Sequence, residues 1–295
     1  MLRRVPRPPG PTLPDISIRQ LEYLVAVADA PTFAAAAASV GVSPSALSQG
    51  LSELERRIGV ELFESVGRRR KLRVTVEPVL DHARQVVSLT RDLTGWAGRL
   101  RDAHTGAVRV GMIDVAAVVH HPDVLRTFRL ERPHVALRLT VAPSRELLAD
   151  LRDGRLDVVV CVEPAEPIAG IETVPLLTEP LVVLAPPGTV IGPPADWGPW
   201  VLFPTESHTR RLVVDRLVER GAPVTVSAES HQPDVLCEMV LLGLGWTVLP
   251  RSQARLGGGE LTVGEQLLTR DLVLARRSGT VVDPAADELV RRLRQ

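Results

Sequence analysis

The segment 43–58 carries four short polar side chains at spacings of three and four residues: Ser45, Ser48, Gln49 and Ser52. In an α-helix these positions lie on one face, and their hydroxyl and amide groups both donate and accept hydrogen bonds. Such groups read base edges when a helix enters the major groove of DNA. A helix face that only meets water has the same composition, so the interpretation depends on charge elsewhere in the chain.

The densest cluster of positive charge follows at Arg68, Arg69, Arg70 and Lys71, and Lys71 is the only lysine in the chain. The 295 residues carry no net charge, with 35 Lys and Arg against 35 Asp and Glu, which argues against a uniformly basic nucleic-acid binder. The cluster follows Gly67 and suits a β-hairpin whose cations contact phosphates. Basic clusters are often only solvated, but directly after a pair of helices of this kind we favour phosphate contact.

Capping residues and apolar spacing predict the helices that position the polar face. Thr32 and Ser43 are predicted to cap the second and third helices, and both are counted among the predicted DNA contacts. Pro44 suits the first turn of the third helix, where its missing N–H does no harm. The apolar positions predicted to bury the back of the third helix are Leu47, Leu51, Leu54 and Ile58.

The spacing of Ala37, Gly41 and Leu47 is typical of a helix-turn-helix. That motif needs a small residue where its helices cross, a glycine in the turn and an apolar anchor in the second helix. Gly50 lies in the middle of the third helix, where glycine costs about 1 kcal/mol relative to alanine. A closer approach of the backbone to DNA would explain this glycine.

A long helical pattern follows from Glu77 to about residue 103. Its apolar positions alternate at spacings of four and three, which favours a seam that pairs with a second helix. Burial against the chain's own domain would give the same spacing. The predicted dimerisation residues are Val79, Ala83, Val86, Leu93, Ala97 and Leu100, with Thr90 between them.

Beyond residue 106, short apolar strands alternate with helical segments, a pattern that favours α/β layers with largely parallel sheets. The pattern predicts two groups of strands, with the segments 271–277 and 283–295 returning to the first, so a cleft between two lobes is expected. We therefore predict a multidomain chain with the following parts: a disordered tail (1–17), an all-α winged helix-turn-helix domain (18–76), a linker or dimerisation helix (77–104) and a two-lobed α/β domain (106–295). Lobe I takes about 106–165 and 267–295, and lobe II about 166–266.

Residues 19–72 resemble the N-terminal winged helix-turn-helix of LysR-type transcriptional regulators: RQLEYLVAVADAPTFAAAAASVGVSPSALSQGLSELERRIGVELFESVGRRRKL. Two further stretches, SRELLADLRDGRLDVVV and EMVLLGLGWTVLP, are similar to the lobes of the family's effector domain, which resembles periplasmic solute-binding proteins. The resemblance implies a cytoplasmic homo-oligomer, dimer or tetramer, that binds inverted-repeat operator DNA, responds to a small-molecule effector and acts with RNA polymerase. It implies no cofactor, no metal and no enzymatic activity.

The chain departs from the family pattern at Gln49, Ser65 and Val76, where arginine or small residues are usual, so its affinity or operator choice is expected to differ. The effector positions that the resemblance implies follow the predicted strands: Asp114, Val115, Ser144, Glu163, Thr205, Ser207, His208 and, beside the pocket, Trp246. The acids among them favour a cationic or a neutral polyhydroxy ligand over the anions that are common in the family.

The alternative is an enzyme or a solute-binding protein built on the two-lobed domain, with a degenerate DNA-binding domain. The sequence lacks a phosphate-binding glycine loop and a nucleophile motif, and His120, His121 and Asp123 lack the spacing of a helical metal site. The start of the chain lacks the apolar stretch of a secretory signal, and the chain has no apolar run long enough to cross a membrane. Cys161 and Cys237 are expected to be buried free thiols.

Overall fold

The computed structural model describes residues 14–66, 69–101, 107–253, 260–280 and 283–295. The chain divides into two compact units, Met1–Arg91 and Asp92–Gln295. Residues 1–13 of the predicted tail lie outside the described residues. Within the described ranges, no helix is both long enough and apolar enough to span a lipid bilayer.

The first unit begins with helices that are capped by side chains. Its elements are α1 (Ile18–Asp29), α2 (Phe33–Ser39), α3 (Pro44–Ile58), β1 (Phe63–Val66), β2 (Arg69–Leu72) and the first part of α4 (Glu77–Arg101). The Ala35 N–H donates to Thr32 Oγ1 at 3.1 Å, and the Ala46 N–H donates to Ser43 Oγ at 3.2 Å. Both predicted caps are therefore confirmed. Gly41 adopts a φ of +68° in the turn between α2 and α3, a conformation that glycine adopts without strain.

The core of the first unit fixes the orientation of α3. Leu47, Leu51 and Leu54 are completely buried, together with Leu24 of α1. Gly50 faces α1, because a Cβ there would lie 2.7 Å from ring carbons of Tyr23. The interpretation that this glycine lets the backbone approach DNA is therefore wrong: it lets two helices approach each other.

The predicted hairpin after α3 is confirmed. Strands β1 and β2 pair antiparallel, with Phe63 opposite Leu72 and Glu64 opposite Lys71. Two residues of the predicted basic cluster, Arg69 and Arg70, lie in β2, and the Lys71 side chain is exposed. Arg68 lies outside the described residues.

Helix α4 uses part of its apolar seam inside its own unit. Ala83 is completely buried in the same core as α3, and the half-buried Val79 and Val86 pack against that core. The prediction of Ala83 as a contact for a partner helix is therefore wrong, because its surface is already covered. Leu93, by contrast, is 52% exposed. Ala97 is half-buried, and the side chain of Leu100 lies outside the described part.

The second unit is built on a mixed sheet. Its strands are β3 (Ala107–Met112), β4 (Ala136–Val141), β5 (Val158–Val162), β6 (Ile171–Ala185), β7 (Trp200–Leu202), β8 (Val226–Glu229), β9 (Thr247–Pro250) and β10 (Thr262–Arg277). Six of them form one sheet in the order β4-β3-β5-β10-β6-β9, and β7 pairs with β8.

The expectation of largely parallel sheets is met only in part. Strand β3 runs parallel to β4 and β5, whereas β10 is antiparallel to both β5 and β6, and β6 is antiparallel to β9. The reason is that β6 and β10 are long strands that pair with each other over most of their length. One leaves the first lobe and the other returns to it, so they run in opposite directions.

The helices of the second unit pack on the strands of both lobes: α5 (Pro122–Glu131), α6 (Ser144–Arg152), α7 (His208–Glu219), α8 (Pro233–Leu241) and α9 (Pro284–Leu293). The C-terminal helix α9 buries Leu289 and Leu293 in the core formed by β3, β5 and the second half of β10. The last part of α4 is fixed to the same lobe. Arg277 of β10 donates hydrogen bonds to both carboxylate oxygens of Asp92, at 2.9 and 2.8 Å.

Candidate functional site

The polar face of α3 is open to solvent. Ser45, Gln49 and Ser52 are exposed and Ser48 is half-buried, on the side opposite the buried leucines. Ser45 Oγ lies 2.9 Å from Ser43 Oγ, which in turn accepts the capping hydrogen bond. The structure therefore places these predicted DNA contacts side by side on one accessible helix face.

The cations at the far end of α3 are already neutralised. Arg56 and Arg57 both donate to the carboxylate of Glu53, and these hydrogen bonds lower the pKa of Glu53 to about 2. Arg57 also pairs with Asp15 at 2.9 Å. In the basic hairpin strand, by contrast, the side chain of Lys71 is exposed.

A cavity of about 590 Å³ lies in the second unit where several strand ends and helix starts meet. Segments that follow β3, β4 and β7 line it, together with Val162 at the end of β5 and the segment before α8. Five of the predicted effector residues lie on its wall: Asp114, Val115, Ser144, Ser207 and His208. Its size is typical of a pocket for a small molecule.

Three predicted effector residues lie elsewhere. Trp246 is buried in the core of lobe II, where its ring stacks on Trp197 at a centroid distance of 6.3 Å. Glu163 lines a separate cavity of about 440 Å³. Thr205 is exposed and donates to the carboxylate of Glu206 at 3.2 Å. None of these three residues therefore lines the cavity of about 590 Å³.

The floor of the pocket contains a polar pair, of which only Asp114 was predicted from the sequence. Gln253 is 3% exposed, and its Nε2 donates to Asp114 Oδ2 at 2.7 Å. Burial raises the pKa of Asp114. Gln253 was missed because it follows a strand of lobe II, far along the chain from Asp114.

A buried ion pair connects the two lobes at the pocket. Arg270 and Glu179 are register partners on β10 and β6, and Arg270 Nε donates to Glu179 Oε1 at 2.6 Å. His120 Nε2 lies 3.1 Å from the other carboxylate oxygen of Glu179. The Arg270 guanidinium also donates to Thr209 Oγ1 of α7 at 2.7 Å. One network therefore includes the segment after β3, both crossing strands and a helix of lobe II.

His208 adds a neutral imidazole to the pocket wall. Burial lowers its pKa. Nδ1 is buried and has no partner among the described residues. In the neutral imidazole one ring nitrogen donates and the other accepts.

Among the described residues, the histidines and cysteines do not indicate a metal site or a reactive thiol. Among the described residues, no cluster of His, Cys, Asp and Glu is arranged to hold a metal ion. The rings of His120 and His121 are 6.3 Å apart and tilted. Both thiols are buried, and burial raises the pKa of Cys161 to about 12 and that of Cys237 to about 11.

Known proteins resemble both units of the chain. Residues 18–77 match the family model "Bacterial regulatory helix-turn-helix protein, lysR family", and residues 101–295 match the "LysR substrate binding domain". A probable hydrogen peroxide-inducible genes activator of Streptomyces viridosporus is 30% identical over 297 residues, with 95% of this chain and 94% of that protein covered. A protein of the same description from Mycobacterium avium is 37% identical over 172 residues, which cover 58% of this chain and 55% of that protein.

Solved structures show the same fold. A full-length OxyR variant from Pseudomonas aeruginosa superposes with a TM-score of 0.63 at 23% identity, over 94% of this chain and 93% of that one. Full-length CbnR in complex with its target DNA gives a TM-score of 0.61 at 19% identity, over 95% and 99%. Together with the two family matches, these similarities show that the chain belongs to the LysR family of bacterial transcriptional regulators.

Proposed function

We propose that this regulator acts in the cytoplasm as a homo-oligomer that binds an inverted repeat in operator DNA and responds to a small-molecule effector. The observation that carries the proposal is the exposed polar face of α3, held by three buried leucines and followed by a basic hairpin strand. A recognition helix with a neighbouring phosphate-binding hairpin is a common arrangement for reading the major groove. Contact with RNA polymerase would then change transcription of a nearby operon.

The exposed part of α4 supports pairing with a second copy. Leu93 is half exposed on a helix whose preceding apolar residues, such as Val79, Ala83 and Val86, lie in or against the core of the first unit. Pairing of two such helices would cover this surface. It would also supply two recognition helices, as an inverted repeat requires.

Strand β10 carries residues that line the pocket and residues that bind α4. Arg270 lies at the pocket, and Arg277 on the same strand holds Asp92 of α4. Arg277 is only 8% exposed and also donates to the carbonyl groups of Leu151 and Leu156 at 2.5 Å. An effector that favours one position of β10 would therefore also favour one position of α4.

The experiment that tests the DNA-binding proposal is a footprint of the full-length protein on DNA upstream of its own gene, across a salt series. We expect protection of an interrupted inverted repeat with half-sites separated by about one helical turn, roughly 10 bp, or a multiple of it. Protection should weaken as salt rises. Absence of protection at low salt, together with no enriched site in a genome-wide binding experiment, would contradict the proposal.

The peroxide response named for some relatives does not fit the thiols of this chain. The reactive species is the thiolate, and both Cys161 and Cys237 are buried with raised pKa values. We expect that Ellman's reagent at pH 8 finds no fast-reacting thiol in the native protein and two thiols after denaturation. Hydrogen peroxide should leave DNA affinity unchanged.

The control is a variant with Cys161→Ala and Cys237→Ala. It should match the unchanged protein in DNA affinity before and after peroxide treatment. A thiol that reacts within seconds in the native protein, with a peroxide-dependent change in DNA affinity that the double variant lacks, would show that this interpretation is wrong.

A further inference from the structure

Two buried polar atoms of the pocket are open to a ligand: a glutamine oxygen, which accepts, and a histidine ring nitrogen, which accepts in one tautomer of the neutral ring. Gln253 Oε1 and His208 Nδ1 are both buried without a partner among the described residues. The orientation of the Gln253 amide is fixed, because its Nε2 donates to Asp114 and a carboxylate oxygen can only accept. A ligand that fills the pocket must therefore supply a donor to the glutamine oxygen, or leave it unpaired at a cost in affinity.

The helix starts at this pocket are not vacant anion sites. The first turns of α6 and α8 carry Glu146 and Asp234, and Glu206 lies just before α7. The N-terminal end of a helix attracts negative charge, and each of these ends already has its own carboxylate beside it. Asp234 Oδ1 accepts the N–H of Val235 at 2.9 Å.

The charges of the pocket wall also disfavour an anion. Arg270 is neutralised by Glu179, so it has no spare charge for a ligand. Among the described lining residues this leaves the exposed Arg145, and His231 at 3.9 Å from Glu206, against Asp114 and the three carboxylates at the helix starts. A cation placed in this pocket gains from that excess of negative charge.

The rest of the wall is apolar. Val118, Val119, Val141 and Phe203 line the cavity, and the side chain of Val118 is 60% exposed. A hydrocarbon group would cover these side chains, since burial of apolar surface favours binding. The pocket thus combines acceptors and negative charge on its floor and rim with an apolar side.

We propose that the effector is a small primary amine whose ammonium group donates to Asp114 and to Gln253 Oε1, with a hydrocarbon body against Val118, Val141 and Phe203. This inference rests on the proposed function, in which the pocket holds the effector. In the tautomer that leaves it unprotonated, His208 Nδ1 accepts from a second donor where the ligand has one. The ammonium group also compensates the buried carboxylate of Asp114.

The test compares three compounds that share a phenyl ring and a three-carbon chain: 3-phenylpropylamine, 3-phenyl-1-propanol and 3-phenylpropanoate. Isothermal titration calorimetry and thermal melting of the full-length protein measure their binding. We expect the amine to bind at least tenfold more tightly than the alcohol, and the carboxylate not to bind. Equal or tighter binding of the carboxylate, or binding of none of the three, overturns the proposal.

A substitution of Asp114 tests whether the ammonium group of the ligand binds at this carboxylate. Asp114→Asn should weaken amine binding about 10- to 100-fold, because it removes a charge-assisted hydrogen bond, and should leave alcohol binding unchanged. Glu166→Gln, which removes an exposed carboxylate outside the pocket, is the matched control and should bind the amine normally. Equal loss in both variants would overturn the placement. The three-compound comparison uses the unchanged protein, so it remains decisive where Asp114→Asn does not fold.

The footprint without effector separates this proposal from the proposed function. Sequence-specific protection with no amine binding overturns the ligand class alone. Amine binding in a protein that protects no DNA overturns the regulator function and leaves the ligand class standing.

Discussion

Replacing Arg68, Arg69 and Arg70 together by alanine is expected to weaken binding to every DNA duplex and to flatten its dependence on salt. Each arginine that neutralises a phosphate releases counterions, so the slope of log K against log salt should fall by about 0.9 per contact, or about 3 for the triple variant. We expect a loss of roughly 10- to 100-fold in affinity near 0.1 M salt. Fluorescence anisotropy with a labelled operator and an unrelated duplex measures both quantities.

A matched control removes three exposed arginines from the second unit: Arg129→Ala, Arg291→Ala and Arg294→Ala. This variant should keep the salt slope, because the second unit carries none of the predicted DNA contacts. Gln49→Ala should have the opposite effect of the hairpin variant. Loss of a base contact should lower the preference for the operator over an unrelated duplex without changing the salt slope. An unchanged slope in the hairpin variant would mean that the hairpin does not contact phosphates.

The caps and the hairpin of the first unit were predictable because their signals are local. Thr32 and Ser43 each cap a helix through a backbone N–H three residues away. The role of Gly50 was not predictable in this way. Its neighbour Tyr23 lies on another helix, so only the packing of α1 on α3 shows why a side chain is excluded.

The apolar spacing of α4 alone could not show whether the helix packs on its own domain or pairs with a second copy. A helix that packs on its own domain and a helix that pairs with a second copy have the same apolar spacing. Ala83 follows the predicted spacing and is completely buried inside its own unit, whereas Leu93 follows it and is half exposed. The difference depends on how far the core of the first unit extends along α4, and the apolar spacing in the sequence does not indicate this.

The lining residues that follow strands or begin helices could be predicted from the sequence, whereas those brought to the pocket by long-range packing could not. Asp114 follows the end of a strand, and Ser144 and His208 begin helices, so the α/β pattern brings them to one edge. Gln253 and Arg270 come from the return path through lobe II, and nothing near them in the sequence indicates a pocket. Trp246 was misplaced because its two aromatic neighbours, Trp197 and Trp200, pack against it only in the folded lobe.

The other large effect is expected from Glu179→Gln, which should lower the free energy of unfolding of the second unit by about 3 kcal/mol. Arg270 is 5% exposed and Glu179 is 3% exposed, so the amide would leave a buried guanidinium without a counter-charge. Urea unfolding of the full-length protein measures the change. Tryptophan fluorescence follows this unit because Trp197, Trp200 and Trp246 lie in the core of lobe II.

The control for this variant is Glu172→Gln, an exposed carboxylate on the same strand, which should change stability by no more than about 0.5 kcal/mol. Replacing both members of the pair, with Glu179→Met and Arg270→Met, should recover part of the loss because no buried charge remains. Recovery should be incomplete, since His120 and Thr209 also lose their partner. If Glu179→Gln is as stable as the control, then Arg270 reaches solvent in the native protein, and the ion pair does not hold the crossing strands together.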